Sequence, residues 1–242
     1  MTTENIAVGT FYGVGVGPGD PELLTLKAVR LLQNSPCIYV PSSRLSTQDY
    51  VAEVVNHYAS EECQIVDVNF SLAENAEQRQ AHWQQTAKEI AWRLKNGQDV
   101  VFVTLGDALL YSTYIYLIRA LQNVMAEAQI ETVPGISAFS FTAALTNMPL
   151  GEGLKPLTVI PSANDIEQIK GLINQGNTVV LMKIGRHLNT IISALDEVNA
   201  IERSVFVSRA GLPDQRIELD LNQLREAPQG TGNLAVIIVQ GS

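Results

Sequence analysis

Gly13-Val14-Gly15-Val16-Gly17-Pro18-Gly19-Asp20 is the stretch whose reading decides the fold. An apolar run from Thr10 enters it, and Pro21-Glu22-Leu23-Leu24 leaves it. Asp20 is a good N-cap and Pro21 suits a first helical position, so a helix is predicted from there to about Asn34. Strand, glycine turn and helix in that order make a βα unit. The turn is not a dinucleotide fingerprint. Counted as GxGxxG from Gly13 the sixth position is Pro18, and from Gly15 it is Asp20. It is not a P-loop either, since GxxxxGK[ST] is absent. Pro18 lacks the N–H that a phosphate cradle would use, and Asp20 puts negative charge where a phosphate would sit. The turn therefore suits a ligand that is not anionic at that point, or it is simply a tight turn.

Two more turns repeat the pattern. Leu105-Gly106-Asp107-Ala108 follows the strand Asp99–Thr104, whose Val100–Val103 is an unbroken apolar run of the kind buried on both faces of a parallel sheet. Val133-Pro134-Gly135-Ile136-Ser137-Ala138 follows a strand at Glu131–Val133 and opens a helix to Thr146. In open α/β sheets ligands bind outside the carboxyl ends of the strands, so three such turns point to a ligand site. Further strands are predicted at Cys37–Val40 and Gln64–Val68, with helices at Gln48–Tyr58 and Glu74–Lys95, the last stopped by Asn96-Gly97.

The pattern breaks at Asn147–Pro156, which holds two prolines and two glycines. Beyond it, strands are expected at Leu157–Ile160, Thr178–Met182, Ser204–Ser208, Gln215–Leu219 and Leu234–Gln240. Helices are expected at Asp165–Asn174 and His187–Val198. The last strands are expected to run antiparallel in part. The fold class is thus α/β with two α/β domains, residues 1–150 and 151–242.

Composition narrows the function. With 16 Lys plus Arg against 25 Asp plus Glu, the chain carries a formal charge of −9, which argues against nucleic acid as a partner. No apolar run approaches the length of a membrane span, and the start lacks the regions of a signal peptide. Cys37 and Cys63 form neither CxxC nor zinc spacing, and His57, His82 and His187 are scattered, so no metal site is expected. A cytoplasmic location follows from these readings.

Four segments together resemble the tetrapyrrole methylases of cobalamin and sirohaem synthesis. They are GVGVGPGDPELLTLKA (13–28), TLGDALLYSTYIYL (104–117), VPGISAFSFTAALTNMPLGEG (133–153) and TVVLMK (178–183). The likeness runs from Thr10 to Gln240. Tyr111-Ser112-Thr113-Tyr114 and Asn147–Gly153 are more typical of the branch that methylates C20 than of the uroporphyrinogen methylases. One departure stands out: the family usually has Gly-Asp-Pro where this chain has Gly106-Asp107-Ala108.

The resemblance implies a methyltransferase and a homodimer. It also implies S-adenosylmethionine held in the cleft between two α/β domains, largely by backbone groups. Carried over by motif, the cofactor would meet Pro18, Gly106, Asp107, Ala108, Tyr111, Ser137, Ala138, Lys183, Ala210 and Leu234. A sulfonium cofactor has no pyrophosphate, which agrees with the missing GxGxxG and Walker lysine. A tetrapyrrole substrate carries several carboxylates and calls for local cations. Arg44 and Lys183 are the first candidates, and Lys155, Arg186 and Arg209 lie in segments expected near the cleft. No general base stands out, and Asp107 is expected to orient its loop rather than to take a proton. A two-domain module that binds a small ligand without chemistry is the rival reading; an NAD-dependent enzyme is disfavoured by both glycine registers.

Overall fold

Two sheets, each with its own core, account for the chain. The computed structural model describes residues 7–42, 47–69 and 75–242, which fall into compact units at 1–136 and 137–242.

In the first unit, strands β1 (Thr10–Gly15), β2 (Cys37–Ser42), β3 (Gln64–Asn69), β4 (Val100–Thr104) and β5 (Gln129–Val133) form one sheet. Its order is β3-β2-β4-β1-β5, and every pairing is parallel. Helices α1 (Leu26–Asn34), α2 (Thr47–Tyr58), α3 (Ala76–Lys95) and α4 (Tyr114–Val124) make the crossovers. All five residues of β4 are buried, as its uninterrupted apolar run requires at the centre of a parallel sheet. Phe11, Phe102 and Tyr114 pack with Trp83, Ile90, Leu94, Leu117 and Leu121 in the core between the sheet, α3 and α4. The ring of Tyr114 lies over Gly13, where any Cβ would overlap it, and its hydroxyl meets Thr132 Oγ1 at 3.0 Å. Gly13 is thus the socket of a core tyrosine.

The helix expected to run unbroken from Pro21 divides in two. Pro21–Leu23 is a single 3₁₀ turn capped by Asp20, whose Oδ1 accepts from Glu22 N at 2.9 Å. Leu24 and Thr25 are extended, and the Thr25 hydroxyl then caps α1 by accepting from Ala28 N. A second good N-cap five residues after the first outweighs the continuous apolar pattern.

In the second unit, β6 (Leu157–Ile160), β7 (Thr178–Met182), β8 (Ser204–Ser208), β9 (Arg216–Glu218) and β10 (Ala235–Val239) form a mixed sheet in the order β6-β7-β10-β8-β9. β10 is antiparallel to both neighbours and β9 to β8, which agrees with the antiparallel tendency expected there. Helices α6 (Ile166–Asn174) and α7 (Leu188–Glu197) cover one face with Ile169, Ile173, Leu188, Ile191, Ile192 and Leu195 against Val179, Leu181, Phe206 and Ile237. The other face offers Val180, Val205, Val236 and Ile238 to Ala138, Phe139 and Ala143 of α5 (Ala138–Thr146) and to Met148 and Leu150. That packing explains why the units divide after Ile136, whereas the sequence break is read at 150. The Pro/Gly-rich stretch marks a change of direction within the second unit, whose sheet needs α5 to cover its second face.

Candidate functional site

The three glycine turns of the first unit meet. They leave the carboxyl ends of β4, β1 and β5, three adjacent strands of the sheet. Val16 N donates to Thr104 O at 2.9 Å, and Gly17 and Gly106 exchange both backbone hydrogen bonds, at 3.2 and 2.7 Å. The third turn closes on these two. A Cβ on Gly15 would lie 2.6 Å from Gly106 O and 2.7 Å from Gly135 N. A Cβ on Gly135 would overlap Gly106 O and lie 2.8 Å from the carbonyl of Gly15. Backbone thus rests on backbone, which only glycine permits. Gly106 takes a positive φ of 73° and has open space on its Cβ side, with Ile136 O the nearest atom at 4.0 Å. A ligand can approach the backbone there.

Asp107 ties this junction. Its Oδ2 accepts from Gly135 N at 3.0 Å and its Oδ1 from Leu109 N at 2.9 Å. Both carboxylate oxygens are engaged by backbone donors, as expected for a residue that orients its loop. Ala108 is fully buried and packs in the core, so only its backbone faces the loop. Ser112 Oγ donates to Ala108 O and closes the loop from its far side. Tyr111 has a φ of 54° and is 43% exposed. An aromatic residue in the left-handed region is strained, and such strain gathers at functional sites. Pro18 is buried in the first turn. Pro18, Gly106, Asp107, Ala108 and Tyr111 therefore share one end of the first sheet. No Lys or Arg occurs within 13–20, 104–112 or 133–136. This donor set suits a neutral or cationic ligand held by backbone groups.

A second group of expected residues meets in the second unit. Lys183 follows β7, Arg209 and Ala210 follow β8, and Leu234 precedes β10. Because Met182 pairs with Val236 and Ser208 with Ala235, these positions share one end of the sheet. Arg209 N donates to Leu234 O at 3.0 Å and Gly185 N to Gly232 O at 2.8 Å. Lys183, Arg209 and Leu234 all have φ between 51° and 53°. Met182, weighed against Lys183 for this position, ends the strand and is half-buried.

Ser137 and Ala138 open α5. Ser137 is the N-cap, its Oγ accepting from Ser140 N at 3.2 Å and lying 2.8 Å from Ser140 Oγ, and Ala138 packs on the second sheet. Arg44 lies outside the described residues. Lys155 is committed to Gly241 O, and Arg209 pairs with Asp214. Sequence reasoning missed the mutual contact of Gly15, Gly106 and Gly135; their recurrence at strand ends was the one signal that could have found it. Among the described residues no group of three or more His, Cys, Asp or Glu could hold a metal ion, and no helix is long and apolar enough to cross a membrane.

Comparison with known proteins extends the geometry. A cobalt-precorrin-2 C(20)-methyltransferase of Salmonella typhimurium is 29% identical over 218 residues, spanning 90% of this chain and 91% of its own length. A precorrin-2 C(20)-methyltransferase of a Sinorhizobium species is 30% identical over 213 residues, covering 85% and 86%. The solved structure of a cobalt precorrin-4 methyltransferase superposes with a TM-score of 0.72 over 96% of this chain and 94% of that one, at 22% identity. A uroporphyrin-III C-methyl transferase of Thermus thermophilus, complexed with S-adenyl homocysteine, gives 0.65 over 96% and 92%, at 24% identity. The likeness of fold takes in both sheets, and the family model for tetrapyrrole (corrin/porphyrin) methylases matches residues 10–225, from β1 to the end of the 3₁₀ turn Leu221–Leu224; the chain belongs to that family.

Proposed function

We propose that the protein transfers a methyl group from S-adenosylmethionine to C20 of precorrin-2 or of its cobalt form, in cobalamin biosynthesis. One observation carries this reading: relatives that match nearly end to end, at about the same length, bear the C20-methyltransferase name. The glycine junction agrees with it, because a sulfonium needs no anion-binding lysine and the three turns contain none. Pro18, Gly106, Asp107, Ala108, Tyr111, Ser137, Ala138, Lys183, Ala210 and Leu234 would hold the cofactor. When bound, the cofactor supplies an electrophilic methyl group on a good leaving group.

Alignment is then the main task left to the protein, and alignment alone lowers barriers by several kcal/mol, up to about 7–11 in well-oriented systems. Asp107 serves it by pinning Gly135 and Leu109, which fixes the backbone around Gly106. With both oxygens so engaged, Asp107 is a positioning residue and not the base that removes the C20 proton. The test is incubation with S-adenosylmethionine and metal-free or cobalt-loaded substrate, read by mass spectrometry. One methyl group added at C20 is expected with at least one form. Binding of S-adenosylhomocysteine without methyl transfer to either form would leave a binding module instead.

The reading includes a cytoplasmic homodimer. In support of the dimer, the first unit exposes large apolar side chains: Trp92 is 66% exposed, Leu109 56% and Tyr116 55%. Tyr114 lies in the first core and Phe139 is half-buried against the second sheet, so neither adds to that apolar surface. Light scattering at micromolar concentration is expected to give twice the chain mass of 26.4 kDa; a single-chain mass would end the dimer reading.

A further inference from the structure

The cations of the second unit divide sharply. Lys170 pairs with Glu167 and Glu197, Arg216 with Glu218 and Arg225 with Asp196. Arg209 pairs with Asp214. Lys155 and Arg203 donate to the carbonyls of Gly241 and Gln240. Lys183 and Arg186 alone have neither hydrogen bond nor ion pair among the described residues, and both are exposed. Lys183 and Arg186 stand three residues apart, and neither charge is taken up by a described acidic side chain, so both are open to a ligand.

Their position supplies a second, independent observation. Lys183 leaves β7 with a φ of 51°, and Gly185 follows with a φ of 50°. Arg209 and Leu234, at the same sheet end, share that conformation. Each non-glycine residue held in the left-handed region costs on the order of 1–3 kcal/mol. Three together mean that the surrounding sheet fixes this end of the unit against the preference of its own residues. The single 3₁₀ turn Gly185–His187, anchored by Gly185 N to Gly232 O, carries Arg186 on that rigid base.

We propose that this end of β7 is an anion-binding subsite in which Arg186, with Lys183 beside it, holds carboxylate side chains of the tetrapyrrole; the proposal rests on the methyltransferase reading above. A guanidinium can take a carboxylate through two parallel N–H···O bonds, a geometry open to Arg186 because no acidic neighbour occupies it. Arg186 thereby selects for substrate charge and orientation. Lys183 would meet both ligands, since the proposed cofactor contacts also include it. The rest of the chain repels a polyanion, but beyond about 8 Å that repulsion is screened at physiological salt, so the local pair decides.

The experiment compares Arg186→Ala and Arg186→Glu with Arg225→Ala, whose cation is already paired. Three quantities are read: the KM for the tetrapyrrole at low and high salt, the Kd for S-adenosylhomocysteine by calorimetry, and the thermal midpoint as a check on folding. The expected result for Arg186→Ala is a KM about tenfold higher, the lower end for a charge-assisted contact. Arg186→Glu is expected to raise it further and to reverse the salt dependence, while S-adenosylhomocysteine affinity stays within about twofold for both. A KM within twofold of wild type overturns the proposal. A loss of S-adenosylhomocysteine affinity with unchanged tetrapyrrole KM also overturns it, by assigning the site to the cofactor's own carboxylate. Wild-type protein that methylates no tetrapyrrole takes down the methyltransferase reading itself, an outcome separate from the other two.

Discussion

Gly135→Ala adds one carbon and two hydrogens, yet it strikes the centre of the glycine junction. The new methyl overlaps Gly106 O and lies 2.8 Å from Gly15 C and O, all of them backbone atoms that have no rotamer to escape into. Either the β5 turn or the β4 turn must move. Forcing a methyl into a packed site costs typically 1–3 kcal/mol, and contact with backbone places this case near the top. Moving the β5 turn also stretches the bond from Gly135 N to Asp107 Oδ2, a charge-assisted contact. A loss of about 3 kcal/mol is expected, which for a chain of this size lowers the thermal midpoint by roughly 6–12 °C. The proposed function puts the cofactor at this junction, so calorimetry should show S-adenosylhomocysteine binding weakened at least about tenfold. Gly151→Ala is the matched control, because a Cβ there meets nothing within 4 Å. That variant is expected to be neutral or slightly stabilising, through the reduced entropy of the unfolded chain. A Gly135→Ala protein with the midpoint and affinity of wild type would refute the contact of the three turns and the cofactor placement built on it.

Asp107→Asn keeps the shape but replaces one carboxylate oxygen by an NH₂ that cannot accept; weaker S-adenosylhomocysteine binding, by about tenfold, is expected from calorimetry with only a small change in the thermal midpoint. Tyr114→Phe removes the bond to Thr132 and should cost about 1 kcal/mol in a urea titration, whereas Tyr114→Ala should cost about 3–5 by emptying the socket over Gly13. Burial pushes the Cys37 thiol from 9.0 up to about 11, so the native state keeps a proton that the unfolded chain loses. Stability is therefore flat below about pH 9 and falls as pH rises toward 11, and Cys37→Ala should make the decline measured by denaturant titration shallower.

The element order was legible because both periodicities are clean. β4 is an unbroken apolar run, and α3 is capped by Asn75 and stopped at Asn96-Gly97. What escaped the sequence was whatever depends on a partner far along the chain. Asp107 reads as a residue that orients its loop, but that the backbone it holds is Gly135, 28 residues on, does not show in the sequence. Tyr114 and Tyr116 are alike in sequence, but α4 turns the first into the core and leaves the second stacked on Trp83 at 55% exposure. The assignment of α5 to the second unit follows from which sheet face needs covering, and that face exists only after β10 has paired. The unpaired state of Arg186 is invisible for the same reason: charge composition says nothing of which cations have found partners.

The place of β10 sets the order in which the molecule can be made. The first sheet is complete once β5 has emerged, so its folding can run on the growing chain. The second cannot: β7 and β8 are joined only through β10, which follows both of them in sequence and is the last of the described strands. Until Ala235–Val239 leaves the ribosome, β6–β7 and β8–β9 are two separate pairs, each with an open edge of Val and Leu side chains and unmet peptide groups. Such edges are sites of aggregation and of proteolytic attack. A chain interrupted before residue 235 would accordingly carry both open edges at once, so the five residues of β10 guard the second sheet against aggregation and proteolysis.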